Sequence, residues 1–300
     1  MKKLQFVFAI CLASLASLSS CSSSSSSKLA IVHFDQTILG DTQKDLGVSI
    51  AVKKGNSELQ SALNTALESI SSETRLDLMT KAVERSSATS VTNEEGKEII
   101  TTAPYDSSKK DLIVGLECDY APFNWTDTTA STYSWPIDGQ ANMYAAGYDV
   151  SIARLLAEKL NYNLVIRKLA WESLIPSLSI TGSSSINCVI AGMTDTEERR
   201  QSVDFTNEYY RSELVLVVKQ DSKYYSTDKV SLNSFSGAKF VSQVSTVTDD
   251  VISTWTTQFG VTHLNAMDTF ATCALAVRNG TADVMTAELP VAQAIVNSAN

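Results

Sequence analysis

The sequence contains few of the residues that build metal sites and disulfide frameworks. Among 300 residues there are five cysteines and two histidines, and His33 and His263 lie far apart in the chain. This distribution argues against a histidine-based metal site or a catalytic triad. Positive charge is also scarce: the formal net charge is −9, so no basic stripe is available to displace counterions from nucleic acid. We therefore expect no metal, no cofactor and no nucleic-acid partner.

The cysteines beyond the start of the chain show no spacing typical of metal ligands. Cys118, Cys188 and Cys273 each lie inside an apolar run. Cys118 and Cys188 belong to two predicted strands that could be neighbours in one sheet, which leaves a disulfide between them open. Buried free thiols are the favoured interpretation, because an unpaired cysteine behaves as a small apolar residue.

The chain begins with the pattern of an export signal. Two lysines precede an apolar run over residues 4–18, which is too short for a permanent membrane span. The tetrapeptide at residues 18–21 resembles the lipobox of bacterial lipoproteins. The resemblance implies a signal peptide over 1–20, a lipid thioether on Cys21 and a flexible serine tether over 21–28. An ordinary secreted protein is the alternative.

From residue 111 onwards, apolar runs typical of strands alternate with amphipathic stretches typical of helices. Strands are predicted at 112–116, 163–168, 186–191, 214–218, 239–243 and 282–286. Helices are predicted at 147–160, 174–180, 248–259 and 269–278. This alternation predicts an α/β fold in which mostly parallel sheets are flanked by helices. The chain is long enough for two lobes, each with its own core.

The most informative stretch follows the strand predicted at 186–191. The apolar run breaks at Gly192, and Thr194 and Arg199 follow within one or two helical turns. This layout places free backbone N–H groups, a hydroxyl donor and a guanidinium around one point, which suits a small carboxylate. A strand end with a solvated arginine is the alternative for this motif taken alone.

The same run is similar to the signature of the bacterial extracellular solute-binding proteins for amino acids. In that family a Gly-Met-Thr…Thr…Arg run holds the α-carboxylate of the ligand. The resemblance implies that Arg199 pairs with the carboxylate through two hydrogen bonds, and that the Thr194 hydroxyl and the Gly192 amide complete the site. Arg200, the neighbouring residue, is expected to be solvated.

A second motif supplies the predicted walls of the side-chain pocket. Residues 117–125 resemble the Tyr-x-Pro-Phe loop that follows the first strand of lobe one in this family. The resemblance implies that Tyr120 stacks on the ligand side chain and that Trp171 forms a second aromatic wall. It also implies that Glu117 reads a polar or cationic side chain. Core packing is the alternative for either ring taken alone.

Two further positions are assigned to lobe two by the same resemblance. Residues 243–247 are similar to the family's Gly-Thr loop, which implies that Thr246 adds contacts to the carboxylate, although Ser245 replaces the usual glycine. Glu288 stands where relatives commonly carry an aspartate that binds the α-ammonium group. A solvated acid at the start of a helix is the alternative for Glu288.

The family resemblance implies a type II periplasmic-binding-protein fold with two α/β lobes. Two hinge strands would cross between the lobes, near 44–48 and 209–213. The implied lobes are 49–85 with 111–208 for lobe one, and 29–43 with 214–300 for lobe two.

The N-terminal part stands in an unusual place in this order. Residues 46–83 resemble the segment that normally ends the chain of this family, in which a strand returns through the hinge and two helices follow. We therefore interpret the chain as circularly permuted, with 86–110 as the linker between the ancestral termini. A truncated tandem repeat is the alternative. Permutation predicts that Lys28 and Asn300 lie close together on lobe two.

The implied function is that of a lipid-anchored, monomeric binding protein on the extracytoplasmic side of the membrane. It would capture a polar or cationic α-amino acid by hinge closure and deliver it to the permease of an ABC importer. The alternatives are a cyclohexadienyl-dehydratase-like enzyme with Glu117 or Glu288 as its base, and a ligand-sensing receptor module. Residues 126–146 form either a flap over the cleft or a decorated hairpin.

Overall fold

Residues 27–87 and 105–300 are described by the computed structural model of the chain. The predicted signal peptide, the predicted lipidation site Cys21 and residues 88–104 of the predicted linker lie outside the described residues. Within the described ranges, no helix is both long enough and apolar enough to cross a bilayer.

Strands and helices alternate along most of the described chain. The strands are β1 (Leu29–Val32), β2 (Gly47–Lys53), β3 (Asp111–Leu116), β4 (Asp119–Tyr120), β5 (Asn124–Asp127), β6 (Trp135–Pro136), β7 (Tyr144–Ala146), β8 (Asn163–Lys168), β9 (Cys188–Val189), β10 (Val203–Arg211), β11 (Leu214–Lys219), β12 (Lys239–Val241), β13 (Thr262–His263) and β14 (Val284–Glu288). The helices are α1 (Ser57–Glu68), α2 (Ser72–Ser86), α3 (Tyr148–Leu160), α4 (Leu174–Ser177), α5 (Glu197–Arg200), α6 (Val247–Phe259), α7 (Phe270–Asn279) and α8 (Leu289–Ala299). 3-10 helices lie at Gln36–Leu46, Trp171–Ser173 and Leu232–Phe235.

One five-stranded sheet, here called the first sheet, has the strand order β10-β2-β9-β3-β8. The pairs β3–β8 and β3–β9 are parallel, whereas β2 pairs antiparallel with β9 and β10. Alternate residues of a strand point to opposite faces of a sheet. Val48, Ile50 and Val52 accordingly join the core that includes α1 and α3, and Ala51 joins a smaller cluster on the other face. Burial on both faces accounts for the nearly continuous apolar sequence of β2.

The other five-stranded sheet, here called the second sheet, has the order β1-β11-β14-β12-β13. Strand β11 pairs antiparallel with β1 and β14, and β12 pairs parallel with β13 and β14. Leu214, Leu216 and Val218 pack in the cluster that includes α6, whereas Val215 and Val217 face the core shared with α7 and α8. Each sheet therefore mixes parallel and antiparallel pairs, which refines the prediction of mostly parallel sheets.

Within the described residues, two stretches of chain connect the sheets. Strand β10 continues through Ser212 and Glu213 into β11, and residues 33–46 lead from β1 to β2. Both connections lie at or beside the predicted hinges. Two α/β halves joined by two crossings confirm the predicted fold class.

Leu29, at the start of β1, and Asn300, which follows α8, lie in contact beside the second sheet. The Leu29 amide donates a hydrogen bond to Asn300 Oδ1 at 3.0 Å, and Asn300 Nδ2 donates to the Leu29 carbonyl at 2.9 Å. Strand β1 and helix α8 also pack against each other. Because Lys28 directly precedes Leu29, the proximity expected of Lys28 and Asn300 is present.

Residues 126–146 belong to a small additional sheet and do not line the cleft described below. Its strand order is β4-β5-β7-β6. Trp135 Nε1 donates a hydrogen bond to the Leu164 carbonyl at 3.1 Å, and Ile137 forms a bridge with Ile166. These contacts hold the segment against β8. Of the two interpretations left open, the decorated hairpin agrees with the structure.

Two predicted elements exceed the observed ones by three residues or more, and the strand predicted at 239–243 ends two residues early, at Val241. The helix predicted at 174–180 ends at Ser177, and the strand predicted at 186–191 pairs only at Cys188–Val189. After Val189 the Ile190 amide still donates to the Gly115 carbonyl of β3 at 3.3 Å, and the Gly192 amide then donates to the Tyr209 hydroxyl instead of to a neighbouring strand. The three described cysteines are buried free thiols, as favoured.

Hydroxyl caps set the starts of the elements that carry site residues. Thr196 caps α5, Thr246 caps α6 and Thr269 caps α7, each by accepting a hydrogen bond from a backbone amide of its own first turn. A cap of this kind stabilises a helix by about 1 kcal/mol. These local bonds define where the helices bearing Arg199 and Phe270 begin.

Candidate functional site

A cavity lies where the carboxyl ends of the parallel strands of both sheets face each other, which is the edge at which open α/β sheets bind ligands. The loops after β3, β9 and β12 and the end of β14 supply much of its lining. All eight predicted ligand-binding residues line it together with three others: Glu117, Tyr120, Trp171, Gly192, Thr194, Arg199, Thr246 and Glu288, with Gln243, Val247 and Phe270.

The predicted carboxylate site centres on Arg199. Its Nη1 donates to the Thr194 carbonyl at 2.8 Å and to the Thr194 hydroxyl at 2.6 Å. The guanidinium carbon lies 5.3 Å from the centre of a Trp171 ring, within the range of a cation–π interaction. Burial lowers the pKa of Arg199 from its ordinary value, yet an arginine remains protonated in proteins. The site therefore holds a fixed positive charge. Arg200 forms an exposed ion pair with Asp195 instead.

Arg199 also contacts the loop that belongs to the second sheet. Its Nη2 donates to the Ser245 carbonyl at 2.9 Å, and Trp171 Nε1 donates to the same carbonyl at 3.3 Å. Ser245 has a φ of 56°, in the left-handed region that favours glycine. The backbone here thus keeps the conformation that suits the family's usual glycine, although the residue is serine.

Thr246 lies at the start of α6, and its hydroxyl serves its own loop. It donates to the Gln243 carbonyl at 2.7 Å and accepts from the Asp249 amide at 3.2 Å. Val247, the first residue of α6, lines the cavity next to it. A helix start favours a nearby anion, because its first N–H groups lack partners in the helix.

The Tyr120 ring has both faces covered in the closed cleft, so its role in stacking on a ligand side chain stays a prediction. It stacks between Phe123, at a centroid distance of 5.1 Å, and Phe270, at 5.0 Å. Its hydroxyl donates to Glu288 Oε2 at 2.6 Å. A ligand side chain therefore cannot stack on Tyr120 in this arrangement, because neighbouring rings occupy both faces. Tyr120 contributes its edge and its hydroxyl to the cavity lining.

Two buried carboxylates face the cavity. Burial raises the pKa of Glu288, and the hydrogen bond from Tyr120 acts in the opposite direction. Glu117 is 5% exposed, and its Oε2 accepts a hydrogen bond from Gln243 Nε2 at 3.4 Å. Burial raises the pKa of Glu117 to about 7, because a charged group is disfavoured away from water. The described lining residues therefore include two carboxylic acids, Glu117 and Glu288, and one guanidinium, that of Arg199.

The sequence prediction omits three lining residues. Gln243 and Val247 flank the loop that contains Thr246, so the motif at 243–247 was the available signal for them. Phe270 begins α7 in a segment without a recognisable motif. Its position against Tyr120 depends on how the two halves meet, which no local pattern specifies.

The cleft is closed in this structure. Hydrogen bonds cross it from Tyr120 to Glu288, from Arg199 and Trp171 to Ser245, and from Gln243 to Glu117. The remaining space is about 10 Å³ for the centres of water-sized spheres, which corresponds to about one water molecule. A larger ligand therefore requires the two halves to move apart.

A second cavity of about 560 Å³ lies away from this cleft. Trp135, Arg154 and Tyr162 are among the residues that line it, and none of the predicted binding residues does. In the part of the chain that the structure describes, no group of three or more His, Cys, Asp or Glu residues is placed to hold a metal ion. The closed cleft, where opposite charges converge, is therefore the candidate site.

Two α/β halves, two chain crossings and a cleft lined by opposite charges define a class of protein, the two-lobed periplasmic binding proteins of type II. The sequence model of the bacterial extracellular solute-binding proteins, family 3, matches residues 112–288, more than half of the chain. The chain belongs to this family.

Individual relatives match over shorter stretches. The chain is 33% identical over 117 residues to the arginine-binding extracellular protein ArtP of Bacillus subtilis, covering 39% of each chain. It is 31% identical over 121 residues to the L-arginine-binding protein of Pseudomonas aeruginosa, covering 40% of each. The chain thus spans about two fifths of the length of these curated relatives.

Solved structures match a larger share. An ancestral arginine-binding protein bound to arginine is similar with a TM-score of 0.51 and 27% identity, covering 63% of this chain and 74% of that chain. The holo structure of ArgBP from T. maritima is similar with a TM-score of 0.50 and 29% identity, covering 63% of this chain and 74% of that chain.

Proposed function

We propose that this protein is an extracytoplasmic binding protein for an α-amino acid. Its strongest support is the placement of Arg199 and Glu288 in one closable cleft between the two sheets. A guanidinium suits an α-carboxylate, and a carboxylate suits an α-ammonium group. A ligand that lacked either group would leave one buried charge without a partner, and its affinity would fall steeply.

The third charged group of the cleft favours a cationic side chain. Once Arg199 and Glu288 have met the two charges of the amino-acid backbone, Glu117 remains. A positive side chain would neutralise Glu117, whereas a neutral one would leave a buried charge or a bound proton there. Several relatives are named as arginine-binding proteins, which supports the same choice.

Binding exchanges one set of bonds for another. In the closed structure the Tyr120 hydroxyl bonds to Glu288, and the Ser245 carbonyl accepts from Arg199. A ligand ammonium would compete for Glu288, and a ligand carboxylate would compete for Arg199. The opened halves would close again with Thr246 and Glu288 on the ligand, so the net affinity is the difference between the two sets of bonds.

The division into moving lobes is part of the proposal. Lobe one comprises 49–85 with 111–208, lobe two comprises 29–43 with 214–300, and the hinges lie near 44–48 and 209–213. This division is supported by the sheets, since strands β2 to β10, apart from the small additional sheet, build the first sheet and the others build the second.

We also propose that the chain is circularly permuted, with 86–110 as the linker. The matched family region runs from β3 to β14. Strand β2 precedes that region in the chain and nevertheless lies inside the first sheet. The hydrogen bonds between Leu29 and Asn300 support this proposal, because the ancestral order requires these two positions to be adjacent.

The proposed partners follow from the family. The protein acts as a monomer, is held to the membrane by a lipid on Cys21, and delivers its ligand to the permease of an ABC importer. It is not an enzyme in this proposal. Two alternatives are a dehydratase acting on a cyclohexadienyl acid and a ligand-sensing receptor module. The experiment below tests the dehydratase, and identification of the membrane partner separates a receptor module from a transport protein.

Thermal unfolding of the full chain with each common amino acid tests the proposal. Arginine and lysine should raise the melting temperature most, since a ligand at a thousandfold excess over its Kd adds about 4 kcal/mol. Agmatine, which is arginine without its carboxylate, is the matched control and should shift it much less. If no amino acid raised the melting temperature while a cyclohexadienyl acid was turned over, the enzyme alternative would replace the proposal. A preference for glutamate would contradict the role of Glu117.

A further inference from the structure

One buried carboxylate outside the cleft is bonded to side chains that hold two of the cleft loops. Asp149 lies in the first turn of α3 and is fully buried. Its Oδ1 accepts a hydrogen bond from the Tyr209 hydroxyl at 2.7 Å, and its Oδ2 accepts from Asn124 Nδ2 at 2.8 Å. Asp149 does not line the cleft, so the proposed function leaves it without a role.

Each of its partners binds the backbone of a different cleft loop. The Tyr209 hydroxyl accepts from the Gly192 amide at 2.9 Å, and Asn124 Oδ1 accepts from the Cys118 amide at 2.6 Å. Gly192 belongs to residues 190–196, here called the clamp loop, which contain Thr194 and lead into the short helix that bears Arg199. Cys118 belongs to residues 117–120, here called the recognition loop. One carboxylate is thus connected through two side chains to both loops.

One anchored position has a backbone conformation that is strained for its residue type, and the other lies directly against the recognition loop. Cys118 has a φ of 56°, a left-handed conformation that costs a non-glycine residue about 1–2 kcal/mol. Gly192 has a φ of 58°, and a Cβ there would lie 2.7 Å from Tyr120 Cε1. The two loops therefore touch at this point, and a shift of either would move the Tyr120 ring.

The chemistry of the position suits an ionised acid. Burial raises the pKa of Asp149 to about 7, and the hydrogen bonds from Tyr209 and Asn124 act in the opposite direction. An ionised carboxylate accepts both bonds without a competing donor. Asparagine has one acceptor oxygen, so its amide group would face either the Asn124 amide or the Tyr209 hydroxyl. One loop would then lose its anchor, and the other would keep only a hydrogen bond to a neutral acceptor, which is weaker than a bond to a carboxylate.

We infer that Asp149 is a positioning residue that holds the clamp loop and the recognition loop at the separation one ligand spans. Its bearing on affinity rests on the proposed amino-acid function. The connection from Asp149 to both loops does not, because it consists of hydrogen bonds within the first half of the molecule.

Hydrogen exchange on the full chain tests the connection without a ligand. Asp149→Asn should increase exchange of the amides in both loops, and Tyr209→Phe should increase it in the clamp loop alone. Tyr210→Phe is the matched control, since Tyr210 lies on the same strand and its hydroxyl takes no part in these bonds. Should Asp149→Asn not fold, Tyr209→Phe carries the test. Unchanged exchange in the clamp loop of Tyr209→Phe would overturn the inference.

Calorimetry with L-arginine and L-argininamide tests the effect on binding. Tyr209→Phe should lower the affinity for arginine about tenfold and the affinity for argininamide by less, because argininamide lacks the charged carboxylate that the clamp loop would hold. The Kd of argininamide divided by the Kd of arginine should therefore fall. Asp149→Asn should weaken the binding of both ligands. Equal loss for both ligands in Tyr209→Phe would indicate a merely structural role and would overturn the inference. If wild type bound no amino acid, the proposed function would fail, and the exchange experiment would still decide the loop connection.

Discussion

Replacing Glu117 by glutamine removes one buried negative charge and leaves the size of the side chain nearly unchanged. In wild type the carboxylate is 5% exposed and bonded to Gln243. A hydrogen bond between charged groups contributes about 1.5–3 kcal/mol, so the affinity for arginine at pH 8 should fall about 10- to 100-fold. The free amino acid glutamine, a ligand whose side chain carries no charge, should bind the variant at least as well as it binds wild type.

The same substitution should stabilise the free protein, and the gain should depend on pH. Burial raises the pKa of Glu117 from 4.5 to about 7, so the folded chain holds this proton more tightly than the unfolded chain. For an acid whose pKa is raised by folding, the free energy of unfolding falls as the pH rises between these two values. The shift corresponds to about 3 kcal/mol at pH 8. Glutamine removes this penalty, so the gain should be largest at pH 8 and small at pH 5.

Urea unfolding at both pH values and calorimetry with arginine measure the two effects. Glu84→Gln is the matched control, because Glu84 is an exposed carboxylate on α2 and is not among the lining residues. It should change neither the affinity nor the stability. Tight arginine binding by Glu117→Gln at pH 8, or a gain in stability equal at pH 5 and pH 8, would contradict the assigned role of Glu117.

Three further substitutions test the cleft. Arg199→Lys should lower the affinity for arginine about a hundredfold in calorimetry, because an ammonium cannot form two parallel hydrogen bonds with a carboxylate. An unchanged Kd would show that Arg199 does not hold the ligand. Gly192→Ala should lower the free energy of unfolding in urea by about 1–3 kcal/mol and weaken binding, because its φ is 58° and the new Cβ would lie 2.7 Å from Tyr120. Ser245→Gly should raise the free energy of unfolding by about 0.5–1 kcal/mol and preserve arginine binding, since glycine accommodates the φ of 56°; a loss of stability would argue against strain at Ser245.

Local patterns in the sequence predicted much of the fold. Apolar runs at 112–116 and 214–218 correspond to β3 and β11, and the helix predicted at 248–259 corresponds to α6. These elements are buried on defined faces, so their periodicity is visible in the chain. The helix predicted at 174–180 ended early and the strand predicted at 186–191 paired over two residues. Element ends depend on hydrogen bonds to other parts of the chain, which the pattern does not record.

The candidate site divides in the same way. Gly192, Thr194 and Arg199 come together through one loop and one short helix, so the sequence by itself determined their proximity. The stacking of Tyr120 on Phe270, and the hydrogen bonds of Asp149 with Asn124 and Tyr209, join residues distant in the chain. Only the tertiary structure decided these contacts, because burial of many side chains sets how the sheets meet. The short-range periodicity of the sequence carries no information on how the two sheets are placed relative to each other.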